Sequence, residues 1–162
     1  MKMALLVIDV QEAFVGDRRG TKSFDKIMNH INYSMALFHE AKLPVVVIRD
    51  IEDGDGAEMK NIVELDVNTN DIEVTKTYSN AFWKTNLEDI LNDLDVDFLV
   101  LCGNAAEYCV GATYNGALER EFRTTLLQNG VFATREENLM IHFYNRELIS
   151  CTALEGIVGF EL

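Results

Sequence analysis

Apolar residues along this chain fall into short blocks separated by longer amphipathic stretches. Four blocks rich in branched side chains, 3–8, 45–48, 98–101 and 124–127, lack the polar alternation of a strand with one wet face. Each therefore predicts a strand covered on both sides. Residues 72–75 and 157–160 are weaker blocks of the same kind and would bring a sheet to six strands. Between the blocks the period changes. Phe24, Ile27, Ile31, Met35 and Phe38 recur at intervals of three and four and are followed by Pro44, which predicts an amphipathic helix over 23–42. Related spacings predict helices over 86–94, 107–122 and 136–149, the last with Leu139, Phe143 and Leu148 turned inward. Strands that alternate with helices pair in parallel through right-handed crossovers. The expected fold is α/β: one domain over 1–162, a three-layer α/β/α sandwich around a mainly parallel, about six-stranded Rossmann-like sheet.

Charge narrows the partners. The 27 acidic residues outweigh 14 basic ones and leave a formal charge of -13, so nucleic acid and anionic membrane surfaces are repelled. No apolar run approaches the ~20 residues needed to span a bilayer. Three cysteines, Cys102, Cys109 and Cys151, form neither an even disulfide framework nor a C-x-x-C pair, which suits a reducing, cytoplasmic setting. Residues 50–58, with Asp53-Gly54-Asp55-Gly56 among them, read as a flexible acidic loop after the second strand. They do not fit the EF-hand register, and the sequence leaves open whether the loop holds a cation or closes over a site.

Ligands of open parallel sheets bind at the carboxyl ends of strands, so reactive side chains there carry the first weight. Asp9 ends the first block, Lys76 follows 72–75, and Cys109 follows 98–101 through the turn Gly103-Asn104-Ala105-Ala106. A cysteine in the first turn of a helix meets unpaired N–H groups and the positive end of the macrodipole. With a lysine nearby, its thiolate is expected to form at a pKa of about 3.5–7.5 instead of the usual ~8.5. Asp9 is then the group that takes the thiol proton and passes it to a leaving amine. Taken singly, each residue has a plainer reading: the cysteine as inert core, the aspartate as a turn cap, the lysine as a solvated charge.

Three ordered motifs change that balance. The segment 4–14 with Asp9-Val10-Gln11 and Phe14, the segment 76–87 with Lys76-Thr77-Tyr78-Ser79-Asn80-Ala81-Phe82-Trp83, and the segment 101–113 with Asn104-Ala105-Ala106-Glu107-Tyr108-Cys109 resemble those of the isochorismatase-like cysteine hydrolases. That family includes nicotinamidases and N-carbamoylsarcosine amidases. The resemblance implies Asp9, Lys76 and Cys109 as catalytic residues, a cis peptide between Asn104 and Ala105, and an oxyanion hole from the N–H groups of Ala105 and Cys109. It implies cleavage of an amide, carbamoyl or ureide C–N bond of a small molecule through a thioester, and a homo-oligomer, dimer or tetramer. Adjacency to the motifs makes Phe14, Tyr78, Phe82, Trp83 and Tyr108 candidates for the substrate pocket.

The departures matter as well. Nicotinamidases of the family bind a metal through Asp-x-His after the second strand, and here that region is Arg49-Asp50-Ile51-Glu52-Asp53, without histidine. No metal and no other cofactor is therefore expected. Competing readings are vinyl-ether hydrolysis of the isochorismate type and a catalytically silent binding or regulatory member of the fold. A dinucleotide-binding domain ranks last because no G-x-G-x-x-G follows the first strand.

Overall fold

The computed structural model describes residues 1–159. In chain order its elements are β1 (Met3–Ile8), α1 (Glu12–Val15), α2 (Lys22–Glu40), β2 (Val45–Asp50), β3 (Ile72–Lys76), α3 (Leu87–Asp93), β4 (Phe98–Gly103), α4 (Cys109–Leu118), β5 (Arg123–Val131), α5 (Glu136–Tyr144), β6 (Leu148–Ile149) and α6 (Cys151–Val158). Six strands form one sheet in the order β3-β2-β1-β4-β5-β6, and every pair is parallel. The α/β sandwich expected from the sequence is the fold observed.

The central strand explains the layering. All six residues of β1 are buried. Met3, Leu5 and Val7 pack with Phe24, Ile31, Met35 and Phe38 of α2 and with Leu154 of α6. Ala4, Leu6 and Ile8 pack the other way, with Leu87 and Leu91 of α3 and Val110 and Tyr114 of α4. The period of two along a strand thus sends alternate side chains into two cores, which is why no polar residue interrupts the run. Thr21 begins α2 by accepting the Phe24 N–H on its hydroxyl at 3.1 Å, the cap that sets the start of this long helix.

The sixth strand is not where the apolar pattern puts it. Ile157 and Val158 end α6, a helix opened by Ser150, whose Oγ accepts the Ala153 N–H at 3.1 Å; Phe160 lies outside the described residues. The edge position is taken by Leu148 and Ile149 beside Leu126 and Leu127. These two residues were expected in a helix over 136–149, which instead stops at Tyr144 and leaves Leu148 39% exposed. A two-residue strand has no periodicity to read. Four of the predicted strands also run further than expected, and β2 takes in Arg49 and Asp50.

In this strand order the chain leaves β1 toward β2 on one side and returns beside it as β4. In open α/β sheets ligands bind at such a switch point, here outside the carboxyl ends of β1 and β4.

Candidate active site

The switch point is built by a close approach of two strands. Gly103 ends β4 opposite Ile8 with φ +109, and a Cβ there would lie 2.0 Å from the Ile8 carbonyl oxygen, so only glycine fits. Asp9 follows with φ 52, a left-handed conformation that aspartate tolerates better than most residues. Beyond Gly103 the Asn104–Ala105 peptide is cis. Phe132, just past β5, brackets this turn: its carbonyl accepts the Ala106 N–H and its N–H donates to Gly103. Glu107 fastens the outer side by accepting from the Thr134 and Arg135 N–H groups and from Asn138. Cys109 then opens α4. Among the described residues, neither the Ala105 N–H nor the Cys109 N–H donates to a backbone acceptor.

Asp9, Lys76 and Cys109 come from separate stretches of chain and meet here. The Lys76 ammonium lies 2.9 Å from Asp9 Oδ2 and 3.4 Å from Cys109 Sγ. The side chains of Lys76 and Asp9 are 0% and 2% exposed, whereas Cys109 is only half-buried and is the member of the group that solvent reaches. Asp9 Oδ1 is buried without a hydrogen-bond partner.

A fourth group escaped the sequence reading. Asp50 Oδ2 bonds to the Lys76 ammonium at 2.7 Å. In the sequence Asp50 looks like the first residue of an acidic loop, and only the strand register of the folded sheet places it opposite Lys76. One oxygen each of Asp9 and Asp50 and the sulfur of Cys109 lie within 4.8 Å of one another, close enough for a cation to bridge them. The ammonium already bonds to all three and supplies the positive charge such an ion would bring, so these residues do not suit a metal as they stand.

The electrostatics correct the expected thiolate. Burial pushes the Cys109 thiol up to about 12; the Asp9 charge adds to the rise and Lys76 opposes it. Burial also raises the Asp9 carboxyl, against the pull of Lys76. Burial alone would lower Lys76, but Asp9 and the bond to Asp50 outweigh it and hold the ammonium at about 12. One cation thus faces two carboxylates, and a thiolate would add a third anion to a dry site. The resting sulfur is a thiol, and it can ionise when Asp9 accepts the proton, which keeps the local charge constant.

The aromatic candidates separate. Phe82 is no pocket wall: it is buried in the core shared by α3 and α4, stacked on Phe122 with centroids 5.9 Å apart. Proximity to Lys76 in sequence misled, because the chain dives into the core between them. Tyr78 is exposed and carries the Lys84 ammonium 5.1 Å above its ring. Trp83 and Tyr108 are exposed, and Phe14 is partly buried against the α2 core. A cavity of about 980 Å³ lies at the opposite end of the sheet beside Lys2, Met3 and Leu43, and none of the candidate site residues lines it. The acidic loop is tied down instead of free: Arg49 donates to Asp55 at 2.6 Å, Lys60 to the same oxygen at 2.9 Å, and these two bonds hold Asp55 at about 2.

Known proteins give the same framework. The isochorismatase domain model matches residues 3–150. The isochorismatase family protein YrdC of Bacillus subtilis is 28% identical over 149 residues, 85% of this chain and 78% of that protein. Streptothricin hydrolase of Streptomyces noursei is 31% identical over 129 residues, 76% of this chain but 51% of its own length. The crystal structure of N-carbamoylsarcosine amidase from Thermoplasma acidophilum superposes with a TM-score of 0.83 at 26% identity, covering 93% of this chain and 97% of that one.

Proposed function

We propose that this chain, which belongs to the isochorismatase family, is a cysteine hydrolase that cleaves an amide, carbamoyl or ureide C–N bond of a small molecule. The observation that carries the reading is the meeting of Asp9, Lys76 and Cys109 at the switch point, with the sulfur the solvent-facing member and Asp9 Oδ1 unpartnered. The amidase and hydrolase named among the relatives support it.

On this reading the steps are as follows. The Cys109 sulfur attacks the substrate carbonyl carbon as its proton passes to Asp9, whose raised basicity suits the task. The carbonyl oxygen becomes an oxyanion and lies toward the N–H groups of Ala105 and Cys109, which have no competing backbone acceptor. When the carbonyl re-forms, the C–N bond breaks, Asp9 returns the proton to nitrogen, and the amine leaves. A thioester remains on Cys109. Water attacks it, giving one proton to Asp9, and the C–S bond breaks to release the acid. Asp9 then returns that proton to sulfur. Lys76 spends its three N–H donors on Asp9, Asp50 and the sulfur, so it acts through them and not on the substrate.

The test is a panel of carboxamides, carbamoyl compounds and ureides assayed for released ammonia or amine. A compound turned over by the wild type should lose its turnover by at least about 10³-fold in Cys109→Ala. Undiminished hydrolysis by that variant would remove the proposed nucleophile.

A further inference from the structure

We propose that Asp50 is a positioning residue of this reaction: clasped by Gln11 and bonded to Lys76, it completes the ammonium's three acceptors and fixes the amine between Asp9 and the Cys109 sulfur. The inference rests on the cysteine-hydrolase reading and gives a task to Gln11, a buried polar residue of the first motif that the steps above leave unused.

The construction begins with Gln11, whose side chain is wholly buried. Its Nε2 donates to the Asp50 carbonyl at 2.8 Å and to the Met59 carbonyl at 2.7 Å. Its Oε1 accepts the Asp50 N–H at 2.7 Å. One amide therefore grips the backbone on both sides of Asp50, in place of a neighbouring strand's ladder at that point. The next link is inside Asp50 itself: Oδ1 accepts the Glu52 N–H at 2.9 Å, which orients the carboxylate and leaves Oδ2 for Lys76 at 2.7 Å. The Ile51 N–H closes the circuit on the Lys76 carbonyl at 2.9 Å.

An ammonium has three N–H bonds and no lone pair, so three acceptors define its orientation completely. Without Asp50, Lys76 would retain Asp9 and the sulfur, and its third donor would be free to turn toward either. Asp50 also sets the charge count. With the thiol intact, Asp9, Asp50 and Lys76 leave one net negative charge. A thiolate formed without protonating Asp9 would make it two. Removing the Asp50 charge lets the sulfur ionise while Asp9 stays charged, and the proton transfer that the reaction needs is no longer enforced.

The groups that face the sulfur are few. Asp9 follows β1, Asp50 ends β2 and Lys76 ends β3. On the nucleophile's own segment, Glu107 is turned away toward Thr134 and Arg135. Arg49, beside Asp50, is directed to Asp55 and Glu73. Glu52 meets Asp50 through its backbone N–H.

The experiment reads iodoacetamide labelling of Cys109 against pH by mass spectrometry, in wild type, Asp50→Asn and Asp50→Glu. Asp50→Asn should bring the labelling midpoint down by at least about one pH unit, because one buried negative charge near the sulfur is gone. A side chain that merely held the fold would leave the midpoint where it is. Asp50→Glu should return the midpoint toward wild type. On any compound the wild type hydrolyses, Asp50→Asn should lose at least about tenfold in turnover, with partial recovery in Asp50→Glu. An unshifted midpoint, or an Asp50→Asn enzyme with wild-type turnover, overturns the inference. If Asp50→Asn does not fold, Asp50→Ser carries the same expected downward shift. The labelling arm needs no substrate. If Cys109→Ala destroys turnover while Asp50→Asn changes nothing, the hydrolase reading survives and the role of Asp50 falls.

Discussion

Two clusters in this molecule are assembled from the same parts, one cation between two carboxylates, and they handle charge in opposite ways. Near the surface, Arg19 bonds to Glu12 at 2.5 and 2.7 Å and to Glu64 through two of its nitrogens. The three side chains are 35% to 43% exposed. There the hydrogen bonds to Arg19 draw both carboxyls below their usual range. At the sheet's rim, Lys76 lies between Asp9 and Asp50, and burial drives the Asp9 carboxyl up in spite of the ammonium 2.9 Å away. Water and the donor count of the cation separate the two. Where solvent screens and a guanidinium offers five donors, the acids are held ionised and the cluster serves as a tie between α1 and the segment around residue 64. Where solvent is excluded and only three donors exist, the surplus negative charge must be relieved by moving protons.

The sharpest way to break the contrast is to remove each cation. Lys76→Met strands two carboxylates at a buried site and should cost about 3–5 kcal/mol of unfolding free energy in denaturant titration, with loss of hydrolysis. Arg19→Met should leave hydrolysis intact and lower Tm by an amount that shrinks as salt is added. Equal effects of the two substitutions would erase the distinction.

A smaller effect is expected from Asp9→Asn, and in two directions. Hydrolysis should fall about 10²–10⁴-fold with loss of the general base. Stability should rise, because a carboxyl whose folded value lies above its unfolded one contributes stability only at low pH and loses it as pH climbs. Above the ordinary carboxyl range Asp9 therefore costs the fold. Replacement by a neutral isostere should raise Tm in calorimetry. A lower Tm would contradict the sign.

The smallest effect is in the alkaline range. Cys109, raised from 9.0 to about 12, contributes stability that is complete below pH 9 and is lost as pH rises toward 12. Lys76, raised from 10.5 to about 12, adds a loss in the upper part of the same window. The denaturation midpoint should fall across this range, and less steeply in Cys109→Ala. The Arg19 cluster works at the other end: Glu12 and Glu64 are lowered from 4.5, so their contribution is present above that value and lost as pH falls below it.

Much of this was legible in the sequence, for identifiable reasons. Strands β1, β2, β4 and β5 declared themselves because both faces are covered, which forces an unbroken apolar run of branched residues. Strand β6 could not, since two residues carry no period, and the apolar pair Ile157 and Val158 imitated the missing strand from the end of a helix. Asp9, Lys76 and Cys109 were found through strand ends and motifs. Asp50 was missed because an Arg-Asp pair before Asp53-Gly54 resembles loop onset, and its contact with Lys76 is created by register between β2 and β3. The acidity of Cys109 was misread for a related reason. A helix start is visible in sequence, whereas the dry surroundings and the aspartate beside the sulfur exist only after folding. Phe82 shows the limit of adjacency: six residues from Lys76, it lies in the core against Phe122.

The bracketing of the nucleophile turn by Phe132 has a temporal consequence. Asp9, Lys76 and Cys109 all precede Phe132 in the chain, so in a growing polypeptide the turn can already be tied to Ile8 through the Asn104 N–H while the two hydrogen bonds to Phe132 are still missing. That second brace arrives only when the segment following the fifth strand docks.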